Sequence, residues 1–242
     1  MAPPRVDISA DPAVLAQRVA QWIVDLACAS QGQFAIALSG GSTPKRFYQL
    51  LSAAPLRDQM PWQRVHLFWG DERFVPWGSP DSNYGMAREA MIAHVPIPPE
   101  NVHGIPFAAT PTEAARDYER TLKLYYGSDT LDPARPLFNI VLLGMGADGH
   151  TASLFPGKPA LQERQRWSVE VPEPGLNPIV PRVTLTFPAL DSTRSVAFVA
   201  AGADKMAMMS RVLAGESELP AASIDPVGEL IWFVDHAAYG DI

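Results

Sequence analysis

Residues 138–157 read FNIVLLGMGADGHTASLFPG. Phe138, Ile140, Val141, Leu142 and Leu143 form a short apolar run without the alternation of a half-exposed strand, so it predicts a strand covered on both faces. Covering both faces takes layers on either side of a sheet, which points the chain toward an α/β architecture. The run stops at Gly144, Gly146 and Gly149, with Asp148 among them and His150 directly after. Glycines here bare the main chain where something must come close, and in open α/β sheets ligands sit outside the carboxyl ends of the strands. A titratable imidazole at such a place is the first candidate for chemistry.

The same residues admit two other readings. Glycine-rich strand exits are common turn chemistry, and a lone histidine beside one is often a satisfied structural side chain. Gly144, Gly146 and Gly149 also match the G-x-G-x-x-G spacing of a dinucleotide site, with Glu170 about 20 residues on. That site needs a helix to follow at once. Pro156 and Gly157 interrupt any such helix within two turns, an interior proline costing about 3 kcal/mol. His150 and Phe155 also put bulk where the helix would approach its strand, so the spacing does not imply a nicotinamide or a flavin.

Other segments repeat the order strand, loop, helix. Asp11 and Pro12 read as the N-cap and first position of a helix on which Val14, Leu15, Val19, Trp22, Ile23 and Leu26 recur. Residues 34–38 are a second apolar run, stopped by SGGSTP; Phe47, Tyr48, Leu50 and Leu51 then recur as on a helix, with Thr43 as its expected N-cap and Pro44 at its first position. A third run, 65–69, ends in GDER and leads to a helix around 83–91. Prolines at 96, 98, 99, 106 and 111 predict an extended connection, followed by a polar helix over 112–126. Strands are expected at 167–171, 183–187, 195–201 and 230–234, with a helix over 204–213. The alternation predicts a mostly parallel sheet with helices on both faces. With 242 residues and neither repeat nor low-complexity segment, residues 1–242 are read as one α/β domain.

Composition removes several classes of function. The net charge is -7 at pH 7 and no cluster of lysine and arginine offers nucleic acid a footprint. No apolar run is long enough to span a bilayer, and the opening MAPPRVDISADP lacks the apolar stretch of a signal peptide, so a cytoplasmic protein with no membrane partner is expected. Cys28 is the single cysteine, and the five histidines show neither H-x-H nor H-E-x-x-H, so neither a disulfide nor a metal site is expected. A small anion is compatible with this balance, because a few fixed cations and helix N-termini decide its binding locally.

The other exits hold such groups. In SGGSTPK, Gly40, Gly41, Ser42 and Thr43 read as an anion cradle with amide and hydroxyl donors at a helix N-terminus, where the dipole adds about half a positive charge; the alternative is an ordinary capped turn. The spacing is not that of a nucleotide P-loop. Arg73, closing GDER, can clamp a phosphate or carboxylate, or pair at the surface with Asp71 or Glu72. Arg182 opens a strand after Pro181. Lys205, one of four lysines, opens a helix, where it opposes the dipole unless an anion binds there. Together these positions point to a phosphorylated substrate. His66, His94, His103 and His236 are read as packing or surface residues.

Taken in order, SGGSTPK, WGDERFVPWGSPDSNYGMARE, LLGMGADGHTASLFPG and PRVTLTFPAL resemble the 6-phosphogluconolactonase family, over nearly the whole length from about Asp11. The resemblance implies a modified Rossmann-like fold shared with glucosamine-6-phosphate deaminases, no cofactor of either metal or nucleotide kind, and hydrolysis of 6-phospho-D-glucono-1,5-lactone to 6-phospho-D-gluconate in the oxidative pentose phosphate pathway. The partner is then a small sugar-phosphate lactone, acted on by a monomer or small homo-oligomer. The resemblance makes His150 the general base that takes a proton from water and returns it to the ring oxygen. Asp148 would orient that imidazole, or else merely cap the loop. Amides around Gly146 and Gly149 are the expected oxyanion donors, and Gly40, Gly41, Ser42, Thr43, Arg73, Arg182 and Lys205 the expected phosphate shell.

Two alternatives accompany this reading. The deaminase branch carries GADGHIAFNEPG, with a glutamate that assists proton transfer; here Leu154 and Phe155 stand where its asparagine and glutamate would be. A sugar-phosphate-binding regulator without chemistry would need the cradle but not His150 and Asp148.

Overall fold

The computed structural model describes residues 4–175 and 177–240; the first three residues, the last two and Leu176, all within the expected 1–242 span, lie outside the described residues. Strands β1 (Arg5–Ser9), β2 (Phe34–Leu38), β3 (Val65–Trp69), β5 (Phe138–Leu143), β8 (Thr193–Ala200) and β9 (Glu229–Asp235) pair in parallel in the order β1-β9-β8-β5-β2-β3. Every residue of β2 and β3 is buried. That follows from layers on both faces, and explains why these strands read as unbroken apolar runs. The bounds of β2, β3 and β5 are those expected from the sequence.

Helices α1 (Pro12–Ala29), α2 (Ser42–Leu51), α3 (Leu56–Gln59), α4 (Asn83–Ala90), α5 (Pro111–Tyr126), α6 (Phe187–Asp191), α7 (Met206–Leu213) and α8 (His236–Tyr239) make the connections. Asp11 caps α1 as expected, its carboxylate accepting from the amides of Ala13 and Val14. Leu15, Val19, Trp22 and Ile23 bury the inner stripe, at about 1.5–3 kcal/mol for each large side chain, and α1 packs on α2 and β9.

Four local expectations are corrected. The strands near 167–171 and 183–187 do not enter the parallel sheet: β6 (Ser168–Val171) and β7 (Arg182–Leu185) join β4 (Asp71–Arg73) in an antiparallel sheet of order β4-β7-β6, against which α5 packs. Phe187 belongs to α6, because Thr186 turns its hydroxyl onto Arg166 O at 2.6 Å and Pro188 sits in the first helical turn. Thr43 is not the N-cap of α2. The helix starts two residues earlier, at Ser42, capped by Gly41 at φ 110° with no side-chain capping bond, a backbone angle that glycine tolerates and threonine does not. The extended connection also holds a short 3₁₀ turn, Pro99–Asn101.

Because the six strands run the same way, their carboxyl ends share one edge of the sheet. β8, β5 and β2 are adjacent there. The chain leaves β2 toward β3 on one side and returns to β5 on the other, so the strand order reverses between β2 and β5, the crevice where such sheets bind ligands. Two buried tyrosines fix strand ends at this edge. The Tyr48 hydroxyl accepts from Ser39 N at 3.1 Å and donates to Ser39 O at 2.9 Å. Tyr118 does the same for Trp69, at 2.8 Å in both directions. Burial pushes both phenols above their ordinary pKa, so each stays neutral and serves as donor and acceptor at once.

Candidate active site

Three adjacent strand exits and the antiparallel sheet enclose a cavity of about 260 Å³. The exit of β2 contributes Gly40, Gly41, Ser42 and Thr43; that of β5 contributes Gly144, Gly146 and His150; that of β8 contributes Lys205. Asp71, Arg73 and Arg182 line it from β4 and β7. The fold thus brings the expected base and the expected anion-binding residues to one place.

His150 Nδ1 lies 2.5 Å from Asp148 Oδ1, which also accepts the His150 amide at 3.2 Å. The ring rests on Phe155 with centroids 4.6 Å apart. With Nδ1–H given to the carboxylate, Nε2 carries the lone pair. Gly146 makes this pairing sterically feasible, since a Cβ there would stand 2.0 Å from His150 Nδ1 and 2.8 Å from Asp148 Oδ1.

The amides of Gly146 and Gly149 do not form the expected oxyanion hole. Gly146 N donates to His150 O at 2.9 Å and Gly149 N donates to Gly146 O at 3.1 Å, so both are committed inside the loop. Gly149 moreover faces away from the cavity, where a Cβ would come within 2.8 Å of Leu219. These glycines shape the turn that presents His150.

The cradle differs. The amides of Gly40, Gly41, Ser42 and Thr43 donate to no other described residue, which leaves them open to an anion at the N-terminus of α2. Gly40 has a steric duty as well: a Cβ would lie 1.9 Å from Asn83 Oδ1, and Asn83 is itself on the cavity wall. Lys45 turns outward to Glu89, 3.7 Å away.

The antiparallel sheet supplies the charge. Its register sets Arg73 opposite Arg182 and Asp71 opposite Thr184, and the two-residue period of a strand puts Asp71 and Arg73 on one face. Glu72, on the other face, accepts the amides of Arg73, Asn83 and Tyr84 and the Ser82 hydroxyl. Burial raises its pKa against the pull of those bonds, and the carboxylate ties β4 to the start of α4. Arg182 is 4% exposed and donates to Val180 O at 3.2 Å and Pro178 O at 3.0 Å. Burial lowers its pKa, and the Asp71 carboxylate opposes that. Arg73 Nη1 donates to Asp81 O at 2.8 Å, while its buried Nε has no partner among the described residues. It makes no ion pair with Asp71 or Glu72 among them, so the surface-pair reading of Arg73 fails. Two arginines side by side repel, and an anion between them relieves that. Lys205 is half-buried, with Asp204 at 3.5 Å. No group of three or more histidine, cysteine or carboxylate side chains that could hold a metal comes together among the described residues.

The profile of the family described as "Glucosamine-6-phosphate isomerases/6-phosphogluconolactonase" matches residues 10–232. The chain belongs to that family. A 6-phosphogluconolactonase of Nostoc sp. is 41% identical over 98% of this chain and 98% of its own length. One of Rattus norvegicus is 42% identical over 93% of this chain and 87% of its own. The solved structure of a 6-phosphogluconolactonase from Trypanosoma brucei matches with a TM-score of 0.83 at 31% identity, covering 99% of this chain and 98% of that one. The modified Rossmann-like class, a mostly parallel sheet with helices, is therefore correct for this chain.

Leu154 is fully buried and Phe155 3% exposed, so an apolar surface faces His150 where the deaminase motif has a carboxylate. Asp71 and Asn83 are cavity residues that the sequence reading did not select. The alternation in Asp71–Arg73 was the available signal, since a strand there puts Asp71 beside Arg73. Ala152, at φ 48° the one described non-glycine residue with positive φ, also lines the cavity.

Proposed function

We propose that this chain hydrolyses 6-phospho-D-glucono-1,5-lactone to 6-phospho-D-gluconate, the second step of the oxidative pentose phosphate pathway, with His150 as general base. Nε2 takes a proton from water as the water oxygen bonds to the lactone carbonyl carbon. The tetrahedral intermediate then collapses, the bond from that carbon to the ring oxygen breaks, and the imidazolium returns the proton to the departing oxygen. Asp148 holds Nδ1–H and stabilises the transient imidazolium. The phosphate binds the open amides of residues 40–43 together with Arg73, Arg182 and Lys205, and this remote binding fixes the carbonyl against His150. Amides other than those of Gly146 and Gly149 are left to support the oxyanion.

One observation carries the reading: an imidazole anchored through Nδ1 opens onto the same small cavity as a buried arginine, Arg182, a half-buried one, Arg73, and an unbonded amide cradle. The apolar contact of Phe155 with His150 favours the lactonase over the deaminase branch. A single continuous core cluster spanning both sheets supports treating the described residues as one domain. No described helix is long and apolar enough to cross a membrane.

The purified protein, given freshly generated lactone with spontaneous hydrolysis subtracted, should release acid, and given glucosamine 6-phosphate should release no ammonia. His150→Ala should lower kcat by about 10²–10⁴-fold with KM little changed. Near-normal turnover in that variant would remove His150 from the role.

A further inference from the structure

Asp71 is a negative charge in a cavity built for an anion. It is 7% exposed, lines the cavity, and shares the β4 face with Arg73. Part of its use is to offset buried positive charge at Arg182. That leaves its hydrogen-bonding capacity unexplained. Oδ2 accepts the Ser153 hydroxyl at 2.6 Å, whereas Oδ1 has only the Asn83 amide nitrogen at 3.4 Å, a long contact for a carboxylate that is otherwise buried.

The anchors locate this oxygen along a bound substrate. Ser153 lies three residues after His150, on the segment that presents the base, so Oδ2 is tied to the chemical end of the cavity. Asn83 donates to Asp71 O at 3.0 Å, and its side chain sits against Gly40, so the same residue is tied to the cradle. A group bonded to both ends lies between them. Between the carbonyl and the phosphate of a sugar lactone the only hydrogen-bond donors are hydroxyl groups, and a carboxylate is an acceptor that requires such donors.

We propose that Asp71 is a specificity-determining residue, whose Oδ1 accepts a hydrogen bond from a ring hydroxyl of the lactone and makes the site select polyhydroxylated substrates. Ser153 is the positioning residue that holds the carboxylate for this purpose. The proposal rests on the lactonase reading above. It adds that recognition has three parts: amides and cations for the phosphate, His150 for the carbonyl, and one carboxylate for the hydroxyls between.

The test compares 6-phosphogluconolactone with the 2-, 3- and 4-deoxy lactones on the wild-type enzyme, on Asp71→Asn and on Ser153→Ala, with inorganic phosphate as a competing probe of the cradle. The wild-type enzyme should discriminate against at least one deoxy lactone by about 10- to 100-fold in kcat/KM, the range of a hydrogen bond to a charged group. Asp71→Asn should lose most of that discrimination, Ser153→Ala part of it, and inhibition by phosphate should stay within about twofold in both. Equal turnover of every deoxy lactone by the wild-type enzyme would overturn the proposal without recourse to any variant. So would a discrimination that survives in Asp71→Asn, or a loss of phosphate inhibition there, which would make Asp71 a counter-charge only. A wild-type protein that leaves the parent lactone untouched would instead overturn the lactonase reading.

Discussion

The exits of β2 and β5 are both glycine-rich, both follow buried parallel strands and both face one cavity, yet they use their backbones in opposite ways. The loop after β5 closes on itself: Gly146 and Gly149 donate within it, and Thr151 Oγ1 donates to Gly144 O at 2.9 Å. Its product is one side chain, His150, held at a fixed orientation. After β2 the amides of residues 40–43 donate to nothing else described, and the backbone itself lines the cavity. Glycine content alone does not distinguish a loop that clears room for a catalytic side chain from a loop that exposes its own N–H groups. The hydrogen-bond partners do.

The sharpest way to break this comparison is Gly146→Ala. The added Cβ would stand 2.0 Å from His150 Nδ1, so the imidazole must leave Asp148. A displacement on the order of 1 Å at a reacting group can cost about 10²-fold, and kcat should fall by about that factor while phosphate inhibition is retained. Loss of phosphate inhibition to the same extent would show that the two loops are not separable.

Lys205→Ala addresses the anion end. Lys205 is half-buried and already near Asp204, so a bond from it to the proposed phosphate would be weaker than one from a fully buried cation. KM and the inhibition constant for inorganic phosphate should rise by about 10-fold, with kcat preserved. An unchanged inhibition constant would remove Lys205 from the shell.

Gly41→Ala separates conformation from space in the cradle. The nearest heavy atom to an added Cβ is Pro44 Cδ at 3.8 Å, which is ordinary contact, but the backbone sits at φ 110°. The variant should be destabilised by about 1–2 kcal/mol in denaturant unfolding with a moderate rise in KM. A stability equal to wild type would mean the loop relaxes to another conformation, and phosphate inhibition would then report whether the cradle survives.

These contrasts also show what the sequence disclosed. β2, β3 and β5 were legible to the residue because burial on both faces writes an unbroken apolar run. β4 was not, since Asp-Glu-Arg carries no apolar signature, and its pairing with β7 joins residues more than 100 positions apart (Asp71 with Thr184). The site divided along the same line. His150, Asp148 and the cradle sit on local motifs and were selected from them. Asp71 and Asn83 act through the antiparallel sheet and the start of α4, which local spacing does not reveal. That the amides of Gly146 and Gly149 are committed inside their own loop was not legible for a related reason, because the acceptor that an amide N–H serves is known only once the fold is.

A third region supplies the acid limit, apart from both loops. His66 Nδ1 and His103 Nε2 are 3.1 Å apart with nearly parallel rings, beside Phe68 and Tyr125. Burial lowers both imidazoles, and in His103 the neighbouring His66 adds to it, bringing it to about 4. In the unfolded chain a histidine takes up a proton near pH 6.5. The contribution of the pair is thus complete above about pH 6.5 and is lost as pH falls toward 4. Discounted for partial solvent exposure, wild type should lose about 1 kcal/mol more than His103→Phe between pH 7 and pH 5 in denaturant unfolding, while the acid limb of kcat in folded enzyme stays the same in the two proteins. Should both curves shift together, the pair would be coupled to His150 and the acid dependence of activity could not be assigned to the catalytic loop alone.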